Sequence, residues 1–149
     1  YSFIPLSAFM VDIAVFVDSR GGNTRKVAEA IAGELGVPVG DMNAPLPADA
    51  TIIFLGSGVY GGKPGDGMTK FIGDGDFKGR RTALFATSGG APGAEKVLET
   101  MGVALKEKGA SVLGSFHCRG KFLFTNRGHP GPEDLENARK FAREMRAKS

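Results

Sequence analysis

Apolar residues in this chain fall into five short runs: Val11–Val17, Val37–Val39, Thr51–Gly56, Thr82–Ala86 and Ser111–Cys118. The longer ones are nearly continuous in apolar character, the pattern of strands buried on both faces of a sheet. Between them the apolar period lengthens to that of a helix. Val27, Ile31 and Leu35 recur every fourth residue over a predicted helix Thr24–Leu35, which Gly36 closes. A two-turn helix is predicted over Gly67–Ile72, ending at Gly73, and a longer one over Ala94–Lys108, ending at Gly109. A final helix starts near Pro132 and turns Leu135, Ala138, Phe141, Ala142 and Met145 to the core. Gly40–Asp49 contains two prolines and has room for one helical turn at most. Gly73–Gly79 and Gly120–Gly131 read as loops.

Strands that alternate with helices specify an α/β fold with a parallel sheet and helices on both faces. Five strands in the order 2-1-3-4-5, forming a three-layer αβα sandwich, are the expected arrangement, with the ligand site at the carboxyl ends of strands one and three. Glycine-rich loops leave strands one, three and four, so all three open on that edge. In the first loop, Ser19-Arg20-Gly21-Gly22-Asn23-Thr24, the glycines let successive N–H groups curl toward one point. Ser19 and Thr24 add hydroxyls, Asn23 an amide and Arg20 a cation, and a helix begins at once. Taken alone, the stretch fits a phosphate cradle or a helix start after a tight turn. Two more glycine loops on the same edge favour the phosphate.

Composition narrows the classes. With 42% hydrophobic and 23% charged residues in 149, the chain reads as one soluble globular domain. No apolar run reaches the length of a membrane span. Residues 1–9 are apolar but lack a basic leader and a small-residue cleavage site. They are expected to be a tag remnant or flexible arm ahead of Met10, with the domain at 10–149. One cysteine excludes an internal disulfide and favours a reducing, cytoplasmic setting. No G-x-x-x-x-G-K-[ST] and no G-x-G-x-x-G after the first strand are present, which excludes the nucleoside triphosphatase and dinucleotide loops. His117 and Cys118, adjacent on a strand, point to opposite faces and make a poor metal pair. His129-Pro130 reads as turn structure. No catalytic triad and no metal cluster are expected.

The net charge is +3 and the pI near 9.1. Arg139, Lys140, Arg143, Arg146 and Lys148 concentrate positive charge on the last helix, with Arg119, Lys121 and Arg127 ahead of it. Such a helix is either a solvated face or a docking patch for an acidic partner. Nucleic acid is not expected, because no recognition motif accompanies the charge.

Ser19-x-x-Gly22-x-Thr24 after a buried strand resembles the flavodoxin pattern T/S-x-T-G-x-T, with Gly21 where a hydroxyl residue is usual. Gly56-Ser57-Gly58-Val59-Tyr60-Gly61-Gly62-Lys63 is similar to the family's first flavin-ring loop, with Gly58 in place of a proline. Leu84-Phe85-Ala86-Thr87-Ser88-Gly89 is similar to its fourth strand and second ring loop. The resemblance runs from Val11 to Met145. It implies a flavodoxin-like fold and bound FMN. The phosphate would lie on Ser19, Arg20, Gly21, Gly22, Asn23 and Thr24. The ring would lie between Ser57, Gly58, Val59, Tyr60, Gly61 and Gly62 and the loop Thr87, Ser88, Gly89 and Gly90. Tyr60 would stack on the ring, and the pairs Gly61-Gly62 and Gly89-Gly90 would let a peptide reorient toward its N5 edge. The implied function is electron transfer between redox partner proteins. The alternative is an FMN-dependent oxidoreductase acting on a quinone, tetrapyrrole or similar planar substrate. A flavin-free interaction module is the third reading, disfavoured by the Ser19 and Thr24 hydroxyls.

Overall fold

The computed structural model describes residues 12–120 and 128–148. Among these described residues four strands and four helices alternate: β1 (Ile13–Asp18), α1 (Asn23–Leu35), β2 (Ile52–Gly58), α2 (Asp66–Asp74), β3 (Arg81–Ser88), α3 (Ala91–Glu107), β4 (Ser111–Arg119) and α4 (Pro132–Ala147). The sheet is parallel throughout, in the order β1-β2-β3-β4.

All seven residues of β2 are buried, as a central parallel strand requires. Successive side chains alternate between the faces. Ile52 and Phe54 join Val15, Val17 and Phe85 beneath α1 and α4, against Val27, Ile31, Leu35, Phe141 and Met145. Ile53 and Leu55 join Phe16 and Leu84 beneath α2 and α3, against Met68, Phe71, Met101 and Leu105. Helices therefore cover both faces, and the two apolar layers fix the sheet between them. Burying each of these large side chains contributes about 1.5–3 kcal/mol.

The expected five-stranded sheet is corrected to four. Val37–Val39 does not form a strand: Val39 makes a single parallel bridge to Val15, and Gly40 N–H donates to Val15 O at 2.7 Å. The segment is three residues long between Gly36 and Gly40, and Pro38 has no N–H to give to a ladder. It marks where a strand would lie, outside β1, without becoming one. Two helix boundaries also move. Pro92 is accommodated in the first turn of α3, which starts at Ala91 rather than Ala94. α2 continues through Gly73 to Asp74. Leu135 packs on the core only partly buried. The expected arm 1–9, Met10, Val11, Lys121 and Arg127 lie outside the described residues.

Candidate functional site

The carboxyl ends of β1, β2 and β3 and the N-terminus of α1 meet around one cleft. Its walls are Ser19, Gly21, Asn23 and Thr24 from the first loop, Gly58, Val59 and Tyr60 from the second, Thr87, Ser88 and Gly89 from the third, and Gly120 beyond β4. Ten of the sixteen residues expected from the sequence thus face one space. The other six, Arg20, Gly22, Ser57, Gly61, Gly62 and Gly90, are not among its walls.

In the first loop Gly22 adopts φ 86°, the left-handed turn that feeds the chain into α1. Ser19 Oγ accepts the Gly22 N–H at 3.1 Å, folding the loop on itself. The first helical hydrogen bond runs from Lys26 N–H to Gly22 O at 3.1 Å. The N–H groups of Thr24 and Arg25 therefore lie ahead of the helical ladder. α1 has no side-chain cap at its N-cap and no acidic residue in its first turn, and the same holds for α3, whose N-cap is Gly90. The other two helices differ. Asp18 Oδ2 accepts the Met68 N–H of α2 at 2.9 Å, and Asp134 Oδ2 accepts the Gly131 N–H of α4 at 2.8 Å. The helix start that lines the cleft, that of α1, is thus without a carboxylate.

Thr24 and Thr87 are buried, and their hydroxyls meet at 2.7 Å, joining the first loop to the third. Only one of the two protons is used between them. The other stays available to an acceptor in the cleft. Ser88 Oγ donates to Gly90 O, and Ser88 O accepts from Gly120 N–H at 3.0 Å, which ties the third loop to the end of β4.

The second loop is held at its base. Ser57, fully buried, donates through Oγ to Gly58 O at 2.8 Å and accepts the Gly65 N–H at 2.9 Å. Its hydroxyl therefore shapes the loop instead of facing the cleft. Gly61 and Gly62, at φ 63° and 78°, form the tip of a two-residue turn closed by paired hydrogen bonds between Tyr60 and Lys63. The Tyr60 side chain crosses to the first loop. Its hydroxyl accepts the Arg20 N–H at 2.8 Å, and the Arg20 guanidinium lies 4.0 Å from its ring centroid. The phenol also rests against Gly58, where a Cβ would come within 2.7 Å of the hydroxyl. Gly58 thus leaves the room that this tyrosine needs.

Sequence reasoning missed Asp18 and Gly120 as parts of the site. Asp18 ends the first apolar run and carries no motif. Gly120 follows β4, outside all three expected loops.

A second pocket, which Gly90 and His117 also line, holds Phe116, Cys118, Arg119, His129, Asp134 and Asn137. His129 Nδ1 lies 2.6 Å from Asp134 Oδ2. Burial pushes the Asp134 carboxyl up, but the Gly131 N–H together with the bond and charge of His129 outweigh it and leave it below its ordinary value. Cys118 is pushed up to about 12, first by burial and then by the Asp134 charge, which keeps its thiol protonated near neutral pH. His117 turns to the other face, 3.8 Å from Glu95 of α3, while Cys118 packs toward α4. Among the described residues no group of three or more histidine, cysteine, aspartate or glutamate side chains is placed to hold a metal. No helix among them is long and apolar enough to cross a membrane.

Comparison with known proteins agrees with this geometry. An uncharacterized protein of Methanocaldococcus jannaschii is 28% identical, over 83% of this chain and 89% of its own length. A flavodoxin from the domain Archaea superposes with a TM-score of 0.71 at 20% identity, covering 92% of this chain and 97% of that one. The rubredoxin oxygen:oxidoreductase of Desulfovibrio gigas superposes with a TM-score of 0.71 at 16% identity, over 93% of this chain but 36% of that enzyme. These structural likenesses concern the fold. The family model of the flavodoxin domain matches residues 14–128, from the start of β1 past the last loop of the cleft. By that match, the chain belongs to the flavodoxin domain family.

Proposed function

We propose that the protein binds FMN in this cleft and carries electrons between redox partner proteins of the cytoplasm. The observation that carries the reading is the start of α1. Asn23 and Thr24 of its first turn line the cleft, no side chain caps its N-cap residue, no carboxylate occupies its first turn, and the Thr24–Thr87 hydroxyl pair stands beside it with one proton not used between the two. That donor set fits a phosphate, which a helix start favours by about 0.3–1 kcal/mol, more when partly buried. FMN, when bound, supplies one- or two-electron redox chemistry. The chain's part is to hold it. Thr24, Asn23 and Gly21 would take the phosphate, and Gly58, Val59 and Gly89 would enclose the ring. Tyr60 would exchange its contact with Arg20 for the ring.

Among the described residues the cationic face of α4 is largely paired. Arg143 meets Glu34 at 3.0 Å, Arg139 meets Glu136 at 3.2 Å, and Lys148 donates to Leu113 O at 3.0 Å. α4 itself carries as many acidic as basic side chains, so docking of an acidic partner there would rest on where the charges stand rather than on net charge. The single cysteine is the observation behind the cytoplasmic setting.

A second reading, an FMN-dependent oxidoreductase for a quinone, tetrapyrrole or other planar compound, has one observation in its favour. Among the described residues the third loop brings Thr87, Ser88 and Gly89 to the cleft, none of them aromatic, which would leave that side of a bound ring open to a planar substrate. Paired titrations with FMN and riboflavin test the phosphate assignment: FMN should bind far more tightly, and equal affinities would overturn it. Steady turnover of NAD(P)H with a quinone by the protein alone would favour the oxidoreductase. Reduction only in the presence of a separate reductase would favour the carrier.

A further inference from the structure

We propose that Asp18 is a positioning residue that sets where the second loop stands over the cleft, and so governs binding of the flavin ring rather than of its phosphate. The inference rests on the FMN reading above. Asp18 and Ser57 are register partners at the ends of β1 and β2. Each reaches the same short stretch of chain: Ser57 Oγ takes the Gly65 N–H at 2.9 Å, and Asp18 Oδ2 takes the Met68 N–H at 2.9 Å. Together they return the end of the second loop to the level of the sheet at which it began. The residues between, Gly58 to Pro64, carry Val59 and Tyr60 to the cleft.

Two glycines show how closely the carboxylate is seated. A Cβ on Gly65 would collide with Asp18 Oδ2 and come within 2.6 Å of its Cγ. One on Gly67 would lie 3.0 Å from Oδ2. Gly65 has φ −60° and an extended backbone, a conformation open to any residue. The requirement for glycine there comes from the carboxylate alone. Asp18 also supplies the cap that α2 lacks from its own N-cap residue, with its charge at the positive end of the helix. The main chain of Asp18 leads directly into the phosphate loop, so one residue fixes both loops relative to each other.

The test is the affinity of Asp18→Ala, Asp18→Asn and Gly67→Ala for FMN and for riboflavin, beside the unaltered protein. Failure of the unaltered protein to bind FMN would sink the function proposed above before any variant is considered. Given that binding, Asp18→Ala should weaken FMN and riboflavin by the same factor, about fivefold for one lost hydrogen bond. The ratio of the two affinities should not change. Asp18→Asn, whose amide oxygen accepts the same bond, should stay near the unaltered protein. Gly67→Ala, which displaces the carboxylate without removing it, should weaken both flavins together, and it carries the test if Asp18→Ala does not fold. Loss of FMN affinity alone would place Asp18 on the phosphate side and overturn the proposal. Unchanged affinities in a less stable protein would reduce Asp18 to a helix cap. A loss in Asp18→Asn equal to that in Asp18→Ala would assign the effect to charge rather than position.

Discussion

Single residues carry two kinds of constraint here, one local and one set by distant chain. Gly36 closes α1 with φ 72°, and its place after a four-residue apolar period made that legible in the sequence. Gly56 is different. It sits in β2, and a Cβ there would run into the ring of Phe85, fully buried on the neighbouring strand. Nothing near Gly56 in sequence announces this, because Phe85 arrives by the β2–β3 pairing. Gly56→Ala should therefore destabilise the fold by about 1–3 kcal/mol. The midpoint of urea unfolding would fall with its slope unchanged. Asp134 is likewise invisible as a pair with His129 until the turn before α4 is folded. Asp134→Ala removes the Gly131 bond and should cost about 1 kcal/mol at neutral pH. Because the folded-state pKa of Asp134 is lowered, its contribution is complete above the ordinary aspartate value of 3.8 and fades as pH falls below it. The stability difference between the two proteins should accordingly shrink as pH is lowered below 3.8. A constant difference across that range would mean that the carboxylate charge plays no part.

At the scale of elements, periodicity located all four helices and the four strands that form. It failed where a segment was too short and too interrupted to pair. Val37–Val39 has apolar residues at the right spacing, but sheet membership is decided by how many N–H and C=O groups can join the ladder, and Pro38 removes one of so few. The cleft's loops were legible because glycine and hydroxyl residues cluster after three strands. Their ties were not: Tyr60 on Arg20, Thr24 on Thr87 and Asp18 on Met68 all join residues at least 40 positions apart. The bare start of α1 gives an element-level prediction. Asn23→Asp places a carboxylate in the first turn, where the helix dipole welcomes it and a phosphate does not. Like charges at about 4–5 Å in a partly screened site repel by a few kcal/mol. FMN affinity should fall by about tenfold or more, with riboflavin affinity unchanged; parallel losses of both would argue against phosphate at α1.

For the whole molecule, fold and site follow from one arrangement. Parallel strands place every carboxyl end on one edge, so three loops far apart in sequence enclose one cleft. The chain's positive charge does not mark a surface as plainly, since glutamates and a backbone carbonyl meet much of α4. That pairing could not be read from composition, which counts charges without placing them. The central claim is that this cleft holds FMN by its phosphate. The most direct measurement is the visible absorption spectrum of the protein after mixing with excess FMN and removing the unbound flavin, with riboflavin treated identically. The account predicts retained flavin bands, one equivalent per chain, for FMN and not for riboflavin. Loss of both flavins to the same extent would contradict it.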